Sequence, residues 1–399
     1  MKSAYGAGMT GNGSEWWLVD GVATAWFAAA SLNQGAALAG HIVGLPVAAD
    51  VDVRPTGVRV RLDSDEHAAL LSAAARRLGL TPDPAVLQQL RVVIESSEPT
   101  GVRQFWQRTL AYEPGPDGRL TDPQRRDPPL RISESTELRP LRNRIHLDIV
   151  RPATSVAQVG LGDGSGPYGV RHSDPDGNEA DVVPAGALGD RDEIADWQAV
   201  FSAMACYRTS SPAQQRDLVA AAADLADDAG FPLLVDLRPG LVILDSGKDL
   251  WERDAHGLDI GFDDLAAAVQ AAARSVGAVA DAELPRFTQL FLDAADVAAV
   301  RAFWTGALGY VPDRRSGVTD LIDPRRLNPV LVFQPLDVSD TERRRQRNRI
   351  HVELAVPEDV GAARLETIVD AGGTLLDGMD GRWQLADPEG NELVLIAGS

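Results

Sequence analysis

Two stretches of this chain are copies of each other, and the duplication limits the fold more than any other feature. Asn143-Arg144-Ile145-His146-Leu147-Asp148 returns as Asn348-Arg349-Ile350-His351-Val352-Glu353. A Phe-Trp pair precedes each copy by about 40 residues: Phe105-Trp106 and Phe303-Trp304. A tight-turn sequence follows each, Asp174-Pro175-Asp176-Gly177-Asn178-Glu179 and Asp387-Pro388-Glu389-Gly390-Asn391-Glu392. Order and rough spacing are kept, so the chain holds a tandem repeat of one domain plan.

The 399 residues give room for two to four domains with ample core. A net charge of −20 argues against nucleic acid, because neutralising phosphates takes clustered Lys and Arg. The one dense basic run, Arg343-Arg344-Arg345-Gln346-Arg347, reads as a solvated turn before a strand. A single cysteine, Cys206, cannot form an internal disulfide, and a reducing, cytoplasmic setting is the simple inference. Residues 1–14 are Gly-rich and polar, unlike a signal peptide, and read as a disordered tail. No uncharged apolar run reaches the length of a membrane span.

Each half opens with an α/β segment, 15–88 and 192–283. In the first, Trp16, Trp17 and Trp26 precede an Ala-rich stretch to Ile42, which reads as rich in helix formers. Val51 to Pro55 and Val58 to Leu62 alternate as a strand pair, and a helix from about Glu66 to Leu78 stops at Gly79. In the second, a helix from about Pro212 to Ala229 stops at Gly230, the strand Leu233 to Pro239 matches Val51 to Pro55, and an inserted loop runs from Asp245 to Gly261. The hinge between halves falls near Pro184 to Asp192. Each half then becomes β-rich, over 89–184 and 284–399. Val92 to Glu95 and Leu290 to Asp293 are strands, followed by amphipathic helices at Thr100 to Leu110 and Val297 to Leu308. The second half adds a helix from Val360 to Ala371 and two strands joined by the Asp387–Asn391 turn, with Gly390 available for positive φ. The first half shows no convincing helix between Ile149 and Tyr168, where Gly160, Gly162, Gly164 and Gly166 alternate. That stretch reads either as a degenerate loop or as a glycine-rich lid. The expected fold is α+β, with two paired βαβββ cups, each preceded by a small α/β segment.

These motifs resemble the vicinal oxygen chelate superfamily, which includes glyoxalase I, extradiol dioxygenases, and fosfomycin- and bleomycin-resistance proteins. The resemblance covers about 85–184 and 284–399. The α/β segments resemble pterin-4a-carbinolamine dehydratase, through Gly257-Leu258-Asp259 and Asp264-Leu265-Ala266 before the last helix. The resemblance is weaker over 15–84, where the inserted loop is missing. The dehydratase uses histidine acid/base chemistry. Its positions fall here on Ala48 and Asp65, and on Phe231-Pro232 and Ser246, so no imidazole is in place and both segments read as scaffold. His41 and His256 are near in sequence only.

The chelate superfamily holds a divalent metal in a β cup, and the resemblance implies where the ligands fall. One half offers Arg91, His146 and Asp181; the other offers Gln289, His351 and Val394, with Glu392 as a substitute carboxylate. Neither set is complete within its half. Some relatives build each site from modules of two domains. Such crossing would unite Gln289, His146 and Asp181 in one cup, and leave Arg91, His351 and Val394 or Glu392 in the other. The first set suits Fe, Mn, Ni or Zn. The alternative is that both histidines are strand residues satisfied by the protein itself. Glu179 and Glu392 also read as partners of the arginines in Asn-Arg-Ile-His.

The leading expectation is a cytoplasmic protein that binds or sequesters a small organic ligand in a β cup, with Trp106, Trp304 and Trp383 as candidate stacking groups and no cofactor required. The alternative is a metal-dependent lyase, isomerase or dioxygenase carrying one divalent metal; an active pterin dehydratase ranks below both. The expected partner is a small molecule, with neither nucleic acid nor membrane, and the duplication allows the halves to pair as an intramolecular pseudo-dimer.

Overall fold

The computed structural model describes residues 15–115 and 117–398, so the tail reading for 1–14 lies outside the described residues. Three sheets carry the molecule, and the two halves contribute to all of them.

The α/β segments share one central antiparallel sheet. Val22–Ala28, Gly57–Leu62 and Ala49–Arg54 from the first half continue into Leu234–Arg238, Leu241–Asp245 and Ala203–Arg208 from the second. The seam is Ala49–Arg54 against Leu234–Arg238, where Asp52 faces Asp236. Each carboxylate takes a guanidinium from the opposite half: Arg54 Nη1 lies 2.6 Å from Asp236 and Arg238 Nη2 lies 2.7 Å from Asp52. Helices Leu32–Val43 and Pro212–Ala229 pack side by side over this seam. Ser31 and Ser211 cap them by accepting from Gln34 N and Gln214 N, and Gly230 closes the second at φ +65°. The sequence reading missed the hairpin of Trp17–Val19 and Val22–Ala28, whose Ala-rich second strand looks helical. Tertiary burial overrode that propensity, since Ala23, Ala25 and Phe27 all face the core.

The two remaining sheets are the cups. Cup one runs Arg171–Ser173, Glu179–Ala187, Ile145–Pro152, Phe287–Ala294, Val330–Pro335, Leu321–Ile322, Val311–Pro312. Cup two runs Thr374–Met379, Arg382–Ala386, Glu392–Ala397, Ile350–Val356, Gln89–Ser96, Leu130–Glu134, Leu120–Thr121, Glu113–Pro114. Each cup therefore joins a βαβββ module of one half to a module of the other, through antiparallel pairs of 145–152 with 287–294 and of 350–356 with 89–96. A helix Ala153–Val159 does occupy the first half after Pro152, which corrects the expectation of none there. It is short because Gly160, at φ +66°, ends it.

The repeated motifs are contact partners, which is why they travel together. On each helix the Phe and Trp rings meet edge-on at 5.4 Å. Trp106 Nε1 then donates to Asp174 (2.8 Å), and Trp304 Nε1 to Asp387 (3.1 Å). Those aspartates also accept from the backbone of Asn178 and Asn391, and Gly177 and Gly390 supply the positive φ that the turns need. The Asn-Arg pairs latch the halves across the middle. Asn143 Oδ1 accepts from Arg349 N and Asn348 Oδ1 from Arg144 N. Arg349 reaches Asn178 at 2.9 Å and Arg144 reaches the Glu389 carbonyl at 2.6 Å. Among the described residues, no helix is long and apolar enough to cross a membrane.

Candidate functional site

Strand alternation sorts the cup residues. Ile145, Leu147 and Ile149 point into the shared core, as do Leu290 and Leu292. His146, Asp148, Gln289 and Phe291 therefore take the other face, inside cup one. Register then brings them together. Asp148 stands opposite Gln289 on one neighbouring strand and opposite Asp181 on the other, with His146 two residues along. Ligand atoms of His146, Asp148 and Asp181 lie within 4.8 Å of one another. Gln289 Nε2 donates to Asp148 Oδ2 at 3.0 Å, which leaves its carbonyl oxygen free.

Four buried polar atoms in this cluster have no hydrogen-bond partner: His146 Nδ1, Asp148 Oδ1, Asp181 Oδ1 and Gln289 Oε1. An unsatisfied buried polar atom costs about 1–3 kcal/mol, so four together at one place is unusual in a native fold. Burial holds the His146 imidazole down at about 4, hence neutral, the form that ligates a metal. Burial pushes the Asp148 carboxyl up to about 7, with Asp181 adding to the rise against the opposing Gln289 bond, and it raises Asp181 as well. Two carboxylates that resist ionising, one neutral imidazole and one amide oxygen form a set that fits a divalent cation of the Fe, Mn, Ni or Zn type. The structure brings Gln289, His146 and Asp181 together as the crossed pairing expects, and it adds Asp148, which is not singled out from the sequence. The signal was present, since Asp148 sits two residues after His146 in the repeated motif and thus shares its face.

Cup two has the same register and different chemistry. Glu353 stands opposite Arg91 and Val394. Arg131 and Arg382 reach Glu353 at 2.7 and 3.0 Å, and Arg91 lies 3.9 Å away, held also by Asp20 at 3.0 Å. Guanidinium groups fill the place that donors occupy in cup one, and Val394 offers none. His351 Nδ1 sits 3.8 Å from Glu95. Glu392 is taken by Arg347 and by the Gln384 amide, so it is no free ligand. Glu179 pairs with Arg142 at 2.7 Å. The arginine that meets each of these glutamates is thus the one before the Asn, and not Arg144 or Arg349 as the sequence suggested. Those two are spent on the latch.

The tryptophans need a second correction. Trp106 and Trp304 are wholly buried and their indole N–H groups are committed to the turns. Trp383 stands opposite Leu395, on the core face of cup two. None of the three faces a cup. The ring that does is Phe291, stacked on His146 at 5.0 Å and 17°.

A family model described as "Glyoxalase-like domain" matches residues 91–183 and 289–396, together half of the chain. The protein belongs to the glyoxalase-like family. Similar solved structures include the CppA protein from Streptococcus pneumoniae (10% identity, 77% of this chain and 97% of that one, TM-score 0.34). A glyoxalase-related enzyme from Fulvimarina pelagi is 22% identical over 27% of this chain and 84% of its own (TM-score 0.21). A point mutant of the fosfomycin resistance protein FosX from Listeria monocytogenes, complexed with Mn(II) and a dihydroxypropylphosphonic acid, is 14% identical over 27% and 86% (TM-score 0.22). No curated protein matches the chain.

Proposed function

We propose that cup one is a divalent-metal centre held by His146, Asp181 and Gln289 with Asp148, in a protein that acts on a small oxygen-bearing organic molecule. The observation that carries this reading is the convergence of four donor atoms without a hydrogen-bond partner from three adjacent strands, contributed by both halves, with Arg171 no nearer than 3.9 Å to Asp181 Oδ1. A bound dication supplies Lewis acidity to paired substrate oxygens. The chain's own residues do the rest. Gln289 holds Asp148 in place through its amide N–H. Phe291 fixes the imidazole plane of His146 and gives an apolar surface beside it. Burial of the cluster excludes water and raises the worth of every charge in it. A lyase, isomerase or dioxygenase activity fits this arrangement. Cup two is assigned no metal, because its carboxylate already answers to guanidinium groups.

In the same reading the α/β segments are scaffold without pterin chemistry. The positions Ala48, Asp65, Phe231, Pro232 and Ser246 carry no imidazole. His41 is exposed at a helix end, and His256 Nδ1 is occupied by the Leu258 N–H.

Metal content of the purified protein by mass spectrometry tests the proposal. One ion per chain is expected, lost in His146→Ala and retained in His351→Ala. Metal-free parent protein, or equal loss from both changes, removes the centre and leaves a sequestering protein as the better reading.

A further inference from the structure

The repeat exposes a second place where something is missing, outside both cups. Each half carries an Asp-Pro turn whose fourth residue is a left-handed arginine. Arg125 has φ +53° and its N–H bonds the Asp122 carbonyl; Arg326 has φ +54° and its N–H bonds the Asp323 carbonyl. In the first half Arg125 meets two carboxylates, Asp63 at 3.2 Å and Asp50 at 3.3 Å. The central seam fixes what replaces them. Asp52 faces Asp236, so Asp50 corresponds to Leu234. Asp52 pairs with Arg59 and Asp236 with Ile243, so Asp63, four residues after Arg59, corresponds to Gly247. Both carboxylates are gone from the second copy.

Leu234, Gly247 and Arg326 line one cavity of about 70 Å³ between the central sheet and cup one. Six cationic side chains face it, together with the carboxylates of Asp52, Asp127 and Asp245. Five are answered: Arg54 and Arg126 by Asp236, Arg59 by Asp52, Arg286 by Asp122, and Lys248 by Asp320. Arg326 has no carboxylate within ion-pair distance among the described residues, and its buried Nη1 has no hydrogen-bond partner. A Cβ built on Gly247 would lie 3.8 Å from that Nη1 and 3.2 Å from Leu250 Cδ1, so the glycine stands beside the guanidinium with no side chain of its own to answer it. Asp323, Asp245 and Asp313 attract the guanidinium only from beyond ion-pair distance, and a guanidinium nitrogen buried without a close partner is unfavourable. The volume has room for several waters, at about 10–15 Å³ each, or for one small oxyanion.

We propose that this cavity binds a small oxyanion of the phosphate or carboxylate class, which takes the place of the two carboxylates lost from the second copy. The site is independent of the metal, since it shares no residue with the donor set of cup one. Thermal unfolding and calorimetric titration of the full chain at constant ionic strength test it, with inorganic phosphate and acetate as separate probes. At least one probe should raise Tm saturably as it binds the folded state, and which one responds identifies the class. Arg326→Met should weaken that probe ten-fold or more. Leu234→Asp restores an internal carboxylate and should remove the response. Without a saturable response to either probe in the parent, or with a response unchanged in Arg326→Met, the proposal fails. His146→Ala should keep the response; its loss there would place the anion at cup one and overturn the assignment.

Discussion

Asp127→Asn should make the protein more stable, and mainly at the higher pH. Asp127 lies beside Asp122 in the first Asp-Pro turn, and Asp122 is already held by Arg286 and by the backbone N–H groups of Gln124, Arg126 and Asp127. Burial, then repulsion from Asp122, push the Asp127 carboxyl up to about 7. In the unfolded chain it ionises at about 3.9. Between those values the folded state holds more proton, so stability falls as pH rises through the window and the cost is complete above about 7. A shift of about three units corresponds to roughly 4 kcal/mol. Asp127 is only partly buried, and screening by solvent reduces this to about 2 kcal/mol. The second half shows what an amide does there: Asn328 occupies the matching place and donates to Asp323 at 2.9 Å. An asparagine in the first half can donate to Asp122 in the same way, and its oxygen can keep the Thr288 hydroxyl now 3.1 Å from Asp127. For a chain of 399 residues whose halves share every sheet, 2 kcal/mol is worth roughly 2–3 °C in Tm. Calorimetric scans of parent and variant should show that gain at pH 8 and less than half of it at pH 5. A loss of stability at pH 8, or an equal gain at both pH values, would refute the reasoning.

Gly57→Ala should destabilise by about 2–3 kcal/mol, because its Cβ would stand 2.4 Å from the Trp26 ring and 2.6 Å from the Phe27 carbonyl, where neither can yield. An unchanged Tm would show that the hairpin shifts freely. Trp304→Phe should cost about 2–3 kcal/mol through the lost donor to Asp387 and a smaller buried ring, read by chemical denaturation; Trp106→Phe should behave alike, and a neutral effect in both would deny that the turns depend on these indoles.

Local features of this chain were legible in its sequence where they repeat. The Phe-Trp, Asn-Arg-Ile-His and turn motifs could be found because each copy keeps the residues that touch one another. The helix stop at Gly230 follows from a local backbone need that a sequence displays. The crossing of modules between halves is a different matter. It depends on pairs such as His146 with Phe291, far apart in sequence, and only the resemblance to a family suggested it. The hairpin from Trp17 to Ala28 was hidden because alanine carries little strand signal, and the helix Ala153–Val159 because it is barely two turns long before Gly160. Asp148 is not singled out by a family pattern with one donor per strand, whereas alternation puts His146 and Asp148 on the same face. The fate of Arg326 could not be read at all: it depends on Leu234 and Gly247, which become meaningful only once the seam aligns the copies.

The exchange of modules also sets a timetable for synthesis. Strand Gln89–Ser96 leaves the ribosome early, yet its partner Ile350–Val356 follows only after about 250 more residues. At about 5–20 residues per second that is a wait on the order of 12–50 s. Through that interval the nascent strand presents Leu90, Val92 and Ile94 and an open edge to whatever is near. Neighbouring chains on one polysome carry the same unpaired strand beside newly made copies of its partner. Trading strands between two polypeptides is therefore a built-in hazard of making this protein, and spacing between ribosomes should govern how much of it ends as tangled dimers.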